Sequence, residues 1–148
     1  MMFKTHIVIG VFLTLVFLPF INYKLIFIPL VILSSLMPDI DSMNSYLGRH
    51  WIFRPIQIFI KHRDLLHSFS FIILLSSIFA FYLPVASFPL FLGYSGHLLA
   101  DALTIEGIRP FWPLKDRIEG KIKTGGKFED ILFYFLIGVN ILLILLLI

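Results

Sequence analysis

Residues 67–104 run HSFSFIILLSSIFAFYLPVASFPLFLGYSGHLLADALT, with no Lys, Arg, Asp or Glu between His67 and Asp101. A membrane-spanning helix needs ~20 mostly apolar residues, within a range of about 17–25. Pro84 divides the stretch, because proline cannot continue the backbone ladder. The division predicts one span over residues 67–83, a tight connection over 85–89, and another span over 90–104. His97 and Asp101 fall near the end of that second span. Four residues apart, they share one helix face, and ionisable groups in a spanning segment are costly and usually mark function. Gly93 and Gly96, just before them, predict close approach of a neighbouring helix.

The chain on either side follows the same pattern. Residues 3–21 and 25–37 are apolar, separated by Asn22-Tyr23-Lys24, and Pro38 stops the second of them. Residues 128–148 form a last apolar run. The expectation is an all-α membrane protein of about five transmembrane helices, forming a single domain over residues 1–148. Composition agrees, since 59% of the residues are hydrophobic and 14% charged. A soluble domain carries about 45–50% and 25%. The first run lacks a small-residue cleavage site and is expected to be a retained helix rather than a signal peptide. Residues 39–66 mix Asp, Arg and His with the apolar Trp51-Ile52-Phe53 and residues 56–60. That mixture predicts a short interfacial helix between the second and third spans, with aromatics at headgroup depth. Residues 105–129, rich in Gly, Pro and basic side chains, are expected to be loop.

Five spans place the N-terminus and the 38–66 and 105–129 segments on one side, which then holds all but Lys24 of the 12 Lys and Arg residues. Such an excess marks the cytoplasmic face. The chain is therefore expected to be integral to the cytoplasmic (inner) membrane with its N-terminus cytoplasmic. Its expected partners are membrane lipids, and no nucleic acid. Cysteine is absent, which excludes a disulfide framework and thiolate metal sites. Any metal must be held by imidazole and carboxylate.

On this topology the ionisable residues converge. His6 starts the first span, and Asp39 and Asp41 follow the second. His62 and His67 enter the third, and His97 and Asp101 end the fourth. Taken singly, each has a plain alternative. A histidine at a helix end contacts headgroups or caps the helix, and His50 reads as interfacial loop. Asp39 and Asp41 suit a turn, and Asp64 could cap the third helix. His62 and His67 are five apart, poor for one helix face, although a loop leading into a helix could aim both inward. Arg63 could pair bidentately with a phosphate or carboxylate, or anchor the chain at the interface. Imidazole and carboxylate together suit zinc, and a catalytic zinc site keeps one position open for water.

The ordered motifs are Thr5-His6, Leu36-Met37-Pro38-Asp39-Ile40-Asp41, His62-Arg63 with His67-Ser68, and Gly93 through Asp101, followed by Thr104, Gly107 and Trp112-Pro113. From Thr5 to about Pro113 the chain resembles the YdjM-like family of inner-membrane, LexA-regulated, metal-dependent hydrolases. Leu66 stands where family members commonly carry Thr, so a hydroxyl is missing there. The resemblance implies a membrane-embedded hydrolase with one or two divalent ions, zinc first, held by His6, Asp39, His67, His97 and Asp101. Arg63, Asp41 and His62 complete the expected catalytic set. Zinc lowers the pKa of bound water to ~7. Asp41 and His62 would support the ligands or add to them; an unligated Asp41 could accept the proton, and Arg63 would stabilise charge on the attacked group. A site at the bilayer boundary suits a lipid or other amphiphilic phosphoester. The alternative is a non-catalytic metal-binding protein, an ion transporter or sensor. Transport would place polar groups near the midplane with a path to the far side. A polar cluster that only holds the bundle together is the third possibility.

Overall fold

The computed structural model describes residues 1–59 and 63–147. Six α-helices and no strand occur among them: α1 (Phe3–Phe17), α2 (Lys24–Ser34), α3 (Arg54–Phe59), α4 (Phe69–Tyr82), α5 (Pro84–Ala102) and α6 (Lys127–Leu147). Two helices are long and apolar enough to cross a membrane: α1 with its 3-10 extension, Phe3–Phe20, and α6. The helices α2 and α4 are apolar but shorter. The predicted short helix between the second and third apolar segments is α3.

Three boundaries differ from the sequence expectation, each for a local reason. The helix α5 begins at Pro84, so residues 85–89 are helical rather than a connection. Pro84 enters at a helix start, where its missing N–H would have no intrahelical partner. Pro89, inside α5, sacrifices one backbone bond, a loss that helix bundles tolerate where neighbours supply other hydrogen bonds. The carbonyl that loses its partner is that of Val85; the Pro89 carbonyl itself accepts a hydrogen bond from Ser34 Oγ of α2 at 3.1 Å, which ties the two helices together.

The helix α2 ends at Ser34 rather than at residue 37. The hydroxyls of Ser34 and Ser35 donate back to the carbonyls of Val31 and Ile32, at 3.0 and 2.7 Å, which competes with helix continuation. Pro38 disfavours the helical conformation of the residue before it, and the chain tightens into a 3-10 turn over Met37–Asp41. The helix α4 begins at Phe69, because Ser68 Oγ accepts the Phe71 N–H at 3.2 Å and forms the N-cap. Asp64, expected as a cap, instead pairs with Arg109 Nη1 at 2.5 Å. His67 thus lies in the 3-10 turn Leu65–His67, wholly buried, and not in the third span.

The most buried helix is α5, which packs against α1, α2 and α4, while α6 packs against α1. Ile72, Leu90, Tyr94, Leu98 and Ile108 form the core. Tyr94 keeps its hydroxyl satisfied there by donating to the Leu66 carbonyl at 2.6 Å. Close helix approach occurs where the glycines predict it. A Cβ on Gly93 would stand 2.2 Å from the Val31 carbonyl oxygen of α2, and one on Gly96 would stand 2.4 Å from Leu13 of α1. Residues 105–129 are irregular but tied down. Ile108 and Ile118 exchange backbone hydrogen bonds at 3.0 Å, and Ile122 N–H donates to the Leu103 carbonyl at 3.0 Å.

Candidate metal centre

Four segments deliver the polar cluster. The start of α1 brings His6, the Met37–Asp41 turn brings Asp39 and Asp41, the turn before α4 brings His67, and the last two turns of α5 bring His97 and Asp101. All three imidazoles are wholly buried, and Asp101 is 1% exposed. The convergence expected from the sequence is therefore present for these six residues. His62 lies outside the described residues.

The rings have defined roles. His97 Nδ1 lies 2.8 Å from the Ser35 carbonyl oxygen, which can only accept, so Nδ1 carries the hydrogen and the neutral ring presents a lone pair at Nε2. His67 Nδ1 lies 3.0 Å from Asp41 Oδ2, which turns Nε2 toward the cluster. Metal-binding histidines are commonly held this way, with the other ring N–H given to a carboxylate or a backbone carbonyl. The Gly93 contact makes the first bond possible, since it lets the end of α2 reach α5.

The Nε2 atoms converge on carboxylate oxygens at a characteristic spacing. His6 Nε2 is 3.4 Å from Asp101 Oδ1, and His67 Nε2 is 3.6 Å from Asp101 Oδ2. His97 Nε2 is 3.8 Å from both Asp101 Oδ2 and Asp39 Oδ1. Good N–H···O bonds are about 2.7–3.2 Å, so these separations are too long for them. A tetrahedral shell with bonds of about 2.0–2.1 Å has edges of about 3.3 Å, close to the observed values. Two trios, His6–Asp39–His97 and His67–His97–Asp101, each offer ligand atoms within 4.8 Å of one another. His97 belongs to both but has one outward lone pair, so the trios cannot each hold an ion through it. The rings of His6 and His97 stack at 3.7 Å. Neither nitrogen of His6, nor Nε2 of His97, has a hydrogen-bond partner among the described residues. Buried polar atoms left so are accounted for by a water, an ion or a catalytic role, and their grouping here beside carboxylates suits an ion.

Two cations meet the Asp101 carboxylate of the centre. The positively charged α-amino group of Met1 contacts Asp101 Oδ1, a cation standing at the carboxylate. Burial holds the Asp39 carboxyl above its usual range, and His6 and His67 oppose that shift. Arg63 Nη2 meets Asp101 Oδ2 at 3.2 Å and Glu106 Oε2 at 2.7 Å, while Nη1 donates to the Gly107 carbonyl at 2.8 Å. Arg63 also has φ 66°, a left-handed conformation that costs a non-glycine residue about 1–2 kcal/mol. Its N–H donates to Asp41 Oδ2 at 3.1 Å and helps hold it there. Beside Arg63 opens a cavity of about 620 Å³, lined among others by Asp39, Tyr46, Glu106 and Arg117.

Sequence reasoning passed over three contributors. Ser35 acts through its carbonyl, which no residue type announces. Glu106 lies in the expected loop, where a charge is ordinary. Glu129 had a legible signal, an acidic residue at the start of an apolar run. It is wholly buried in α6 and accepts from Thr5 Oγ1 at 2.8 Å, Gly125 N at 2.7 Å and Met2 N at 2.6 Å. Those bonds pin the end of α1 that carries His6.

Comparison with known proteins places the chain in a family. The family model described as YdjM inner membrane protein matches residues 1–147. The inner membrane protein YdjM of Escherichia coli (strain K12) is 36% identical over 99 residues, covering 61% of this chain and 50% of that protein. Its counterpart in Shigella flexneri gives the same figures. The uncharacterized protein YvsG of Bacillus subtilis (strain 168) is 29% identical over 104 residues, 66% of this chain and 65% of YvsG. This chain spans about half the length of the YdjM proteins it matches. No solved structure matches it. Matched along nearly its whole length, the chain belongs to the YdjM inner membrane protein family.

Proposed function

We propose that the chain is a membrane-embedded, metal-dependent hydrolase with its site at the cytoplasmic face. The single observation that carries the proposal is the set of nitrogen–oxygen separations of 3.4–3.8 Å among buried His6, His67, His97, Asp39 and Asp101. They are matched to the edges of a coordination shell and too long for hydrogen bonds. Three imidazoles with two carboxylates suit zinc better than magnesium or calcium, which take oxygen ligands. When bound, zinc would supply Lewis-acid activation of water at neutral pH.

The chain's own residues supply the rest. His67 is oriented by Asp41 and His97 by the Ser35 carbonyl, so both Nε2 atoms point at one place. The Asp41 oxygen facing His67 already accepts two hydrogen bonds. Asp41 therefore serves as the carboxylate that orients His67, one of the roles expected for it from the sequence. Arg63, at the junction of the cluster and the cavity, faces the position of an anionic group on the substrate. The cavity is lined by both charged and apolar side chains, Arg63 and Arg117 beside Phe3 and Tyr46, which suits a lipid or other amphiphilic phosphoester as the substrate class.

The proposed topology has five spans, α1, α2, α4, α5 and α6, with α3 at the interface and the N-terminus in the cytoplasm. With 11 and 14 residues, α2 and α4 extend about 16 and 21 Å. They would span only with local thinning of the bilayer, which costs fractions of a kcal/mol per Å. Lipid-facing positions account for the exposed Leu25, Leu33, Leu74 and Phe81. A cluster confined to one end of the bundle favours surface chemistry over transport.

The test is metal analysis of the detergent-purified protein together with a screen of phosphodiesters and phospholipids. Expected are one divalent ion per chain and turnover of an amphiphilic phosphoester. Protein that carries no stoichiometric ion and binds none on titration would end the proposal. Protein that binds metal but hydrolyses nothing in the screen would leave a metal-binding sensor.

A further inference from the structure

Arg63 makes two kinds of contact. Three of them are structural: its N–H to Asp41, Nη1 to the Gly107 carbonyl, and Nη2 to the buried Asp101. The fourth, between the same Nη2 and Glu106 Oε2 at 2.7 Å, involves a carboxylate that is 56% exposed. Asp101 and Glu106 thus share one guanidinium nitrogen, one from inside the protein and one from the cavity wall. Among the described residues, the other side-chain hydrogen bond of Glu106 is a long one, Thr124 Oγ1 to Oε2 at 3.4 Å.

We infer that Glu106 is an exchangeable counter-ion that occupies the phosphate position on Arg63 and swings out when a phosphate group enters. The identity of the incoming group rests on the hydrolase proposal; the exchange itself rests on the Arg63 contacts. The two carboxylates differ in how firmly they are held. Removing one partner of a half-exposed ion pair shifts an equilibrium by about two- to five-fold. Stripping one from a buried pair shifts it by several hundred-fold or more. Glu106 therefore leaves and Asp101 stays. A planar guanidinium suits tetrahedral phosphate oxygens as well as a carboxylate, so the vacated Nη2–H meets the incoming anion without rearrangement. Neutral ligands gain nothing at Arg63 by displacing Glu106. The residue therefore selects for anionic headgroups and sets their affinity.

The test is titration of the detergent-purified full chain with inorganic phosphate, and of the nanodisc-embedded chain with phosphatidylcholine bilayers lacking or containing phosphatidic acid. Glu106→Gln is expected to tighten binding about two- to five-fold. Glu119→Gln removes the same charge from a neighbouring carboxylate, which pairs with Arg117 at 3.1 Å, and should give a smaller gain. In an Arg63→Ala background Glu106→Gln should change nothing, since the coupling then has no partner. A gain in the phosphatidic acid arm alone identifies a lipid headgroup, and one with inorganic phosphate identifies a phosphate site open to soluble ligands. No gain in either arm, or an equal gain without Arg63, overturns the inference. Glu106→Asp, which keeps the charge and shortens the reach, gives a second reading should Glu106→Gln fold poorly. Metal analysis of the same samples separates the two proposals. A metal-free chain that still shows the Glu106 gain loses the hydrolase assignment only, and a metal-loaded chain without it loses only the exchange.

Discussion

His97 Nδ1 donates a hydrogen bond of 2.8 Å to the Ser35 carbonyl oxygen, joining the last turns of α5 to the end of α2. That one bond fixes the ring's tautomer and turns Nε2 toward Asp39 and Asp101. It depends on Gly93, whose added Cβ would stand 2.2 Å from the Val31 carbonyl. Gly93→Ala is therefore expected to push α2 off α5. It should cost about 1–3 kcal/mol of stability by overpacking and weaken metal binding as well. Thermal denaturation and metal titration of the same variant check both, and unchanged metal affinity would separate the Ser35 contact from the site.

His97→Ala and Asp101→Ala should each remove one ligand. Loss of a coordinating side chain is expected to cost several kcal/mol of metal binding, on the order of 100-fold or more in affinity. His50→Ala, on an exposed residue, should leave metal content at the wild-type level. Competition titration against a chromogenic chelator measures all three, and equal loss in His50→Ala would point to general unfolding.

Asp41→Asn tests whether Asp41 orients or accepts a proton. As the carboxylate behind His67, its loss should lower metal affinity about 10–100-fold. As a proton acceptor, its loss would leave the ion in place and abolish turnover. Metal content and rate measured together decide between the two.

Arg63→Ala is expected to retain the metal, since no ligand is removed, while losing on the order of 10²–10³ in rate. Arg63→Lys should recover part of this. An ammonium cannot reach Gly107, Asp101 and an incoming anion with the planar fork that Arg63 uses. Equal rates for Arg, Lys and Ala would take Arg63 out of the reaction.

Single cysteines test the topology directly, because the chain has none. Asn44→Cys and Lys123→Cys, at exposed positions, should react only with a reagent on the cytoplasmic side. Asn22→Cys, between α1 and α2, should react only from outside. Labelling of positions 44 and 22 from one side would refute the five-span arrangement and its orientation.

Helical structure and the candidate ligands were legible in the sequence, because both follow from short-range rules. Long apolar runs must satisfy their own backbone groups, so they become helices, and His97 and Asp101 share a face because four residues make about one turn. Proline marked helix ends less reliably. Pro84 did separate two helices, α4 and α5, but it opened α5 directly with no connection over residues 85–89, and Pro89 lay inside α5, since one missing N–H is a local cost that packing can outweigh. The sequence already assigned Asp39 and Asp41 different roles, but only tertiary structure supplied their separate partners. The two are neighbours in one turn, yet one faces the histidine cluster and the other stands behind His67. It also decided which nitrogen of each ring faces inward, and that Arg63 is shared by Asp101 and Glu106. Those outcomes depend on hydrogen bonds between residues far apart in the chain, 62 positions in the case of His97 and Ser35. No periodicity along the chain encodes a carbonyl that a neighbouring helix brings within reach.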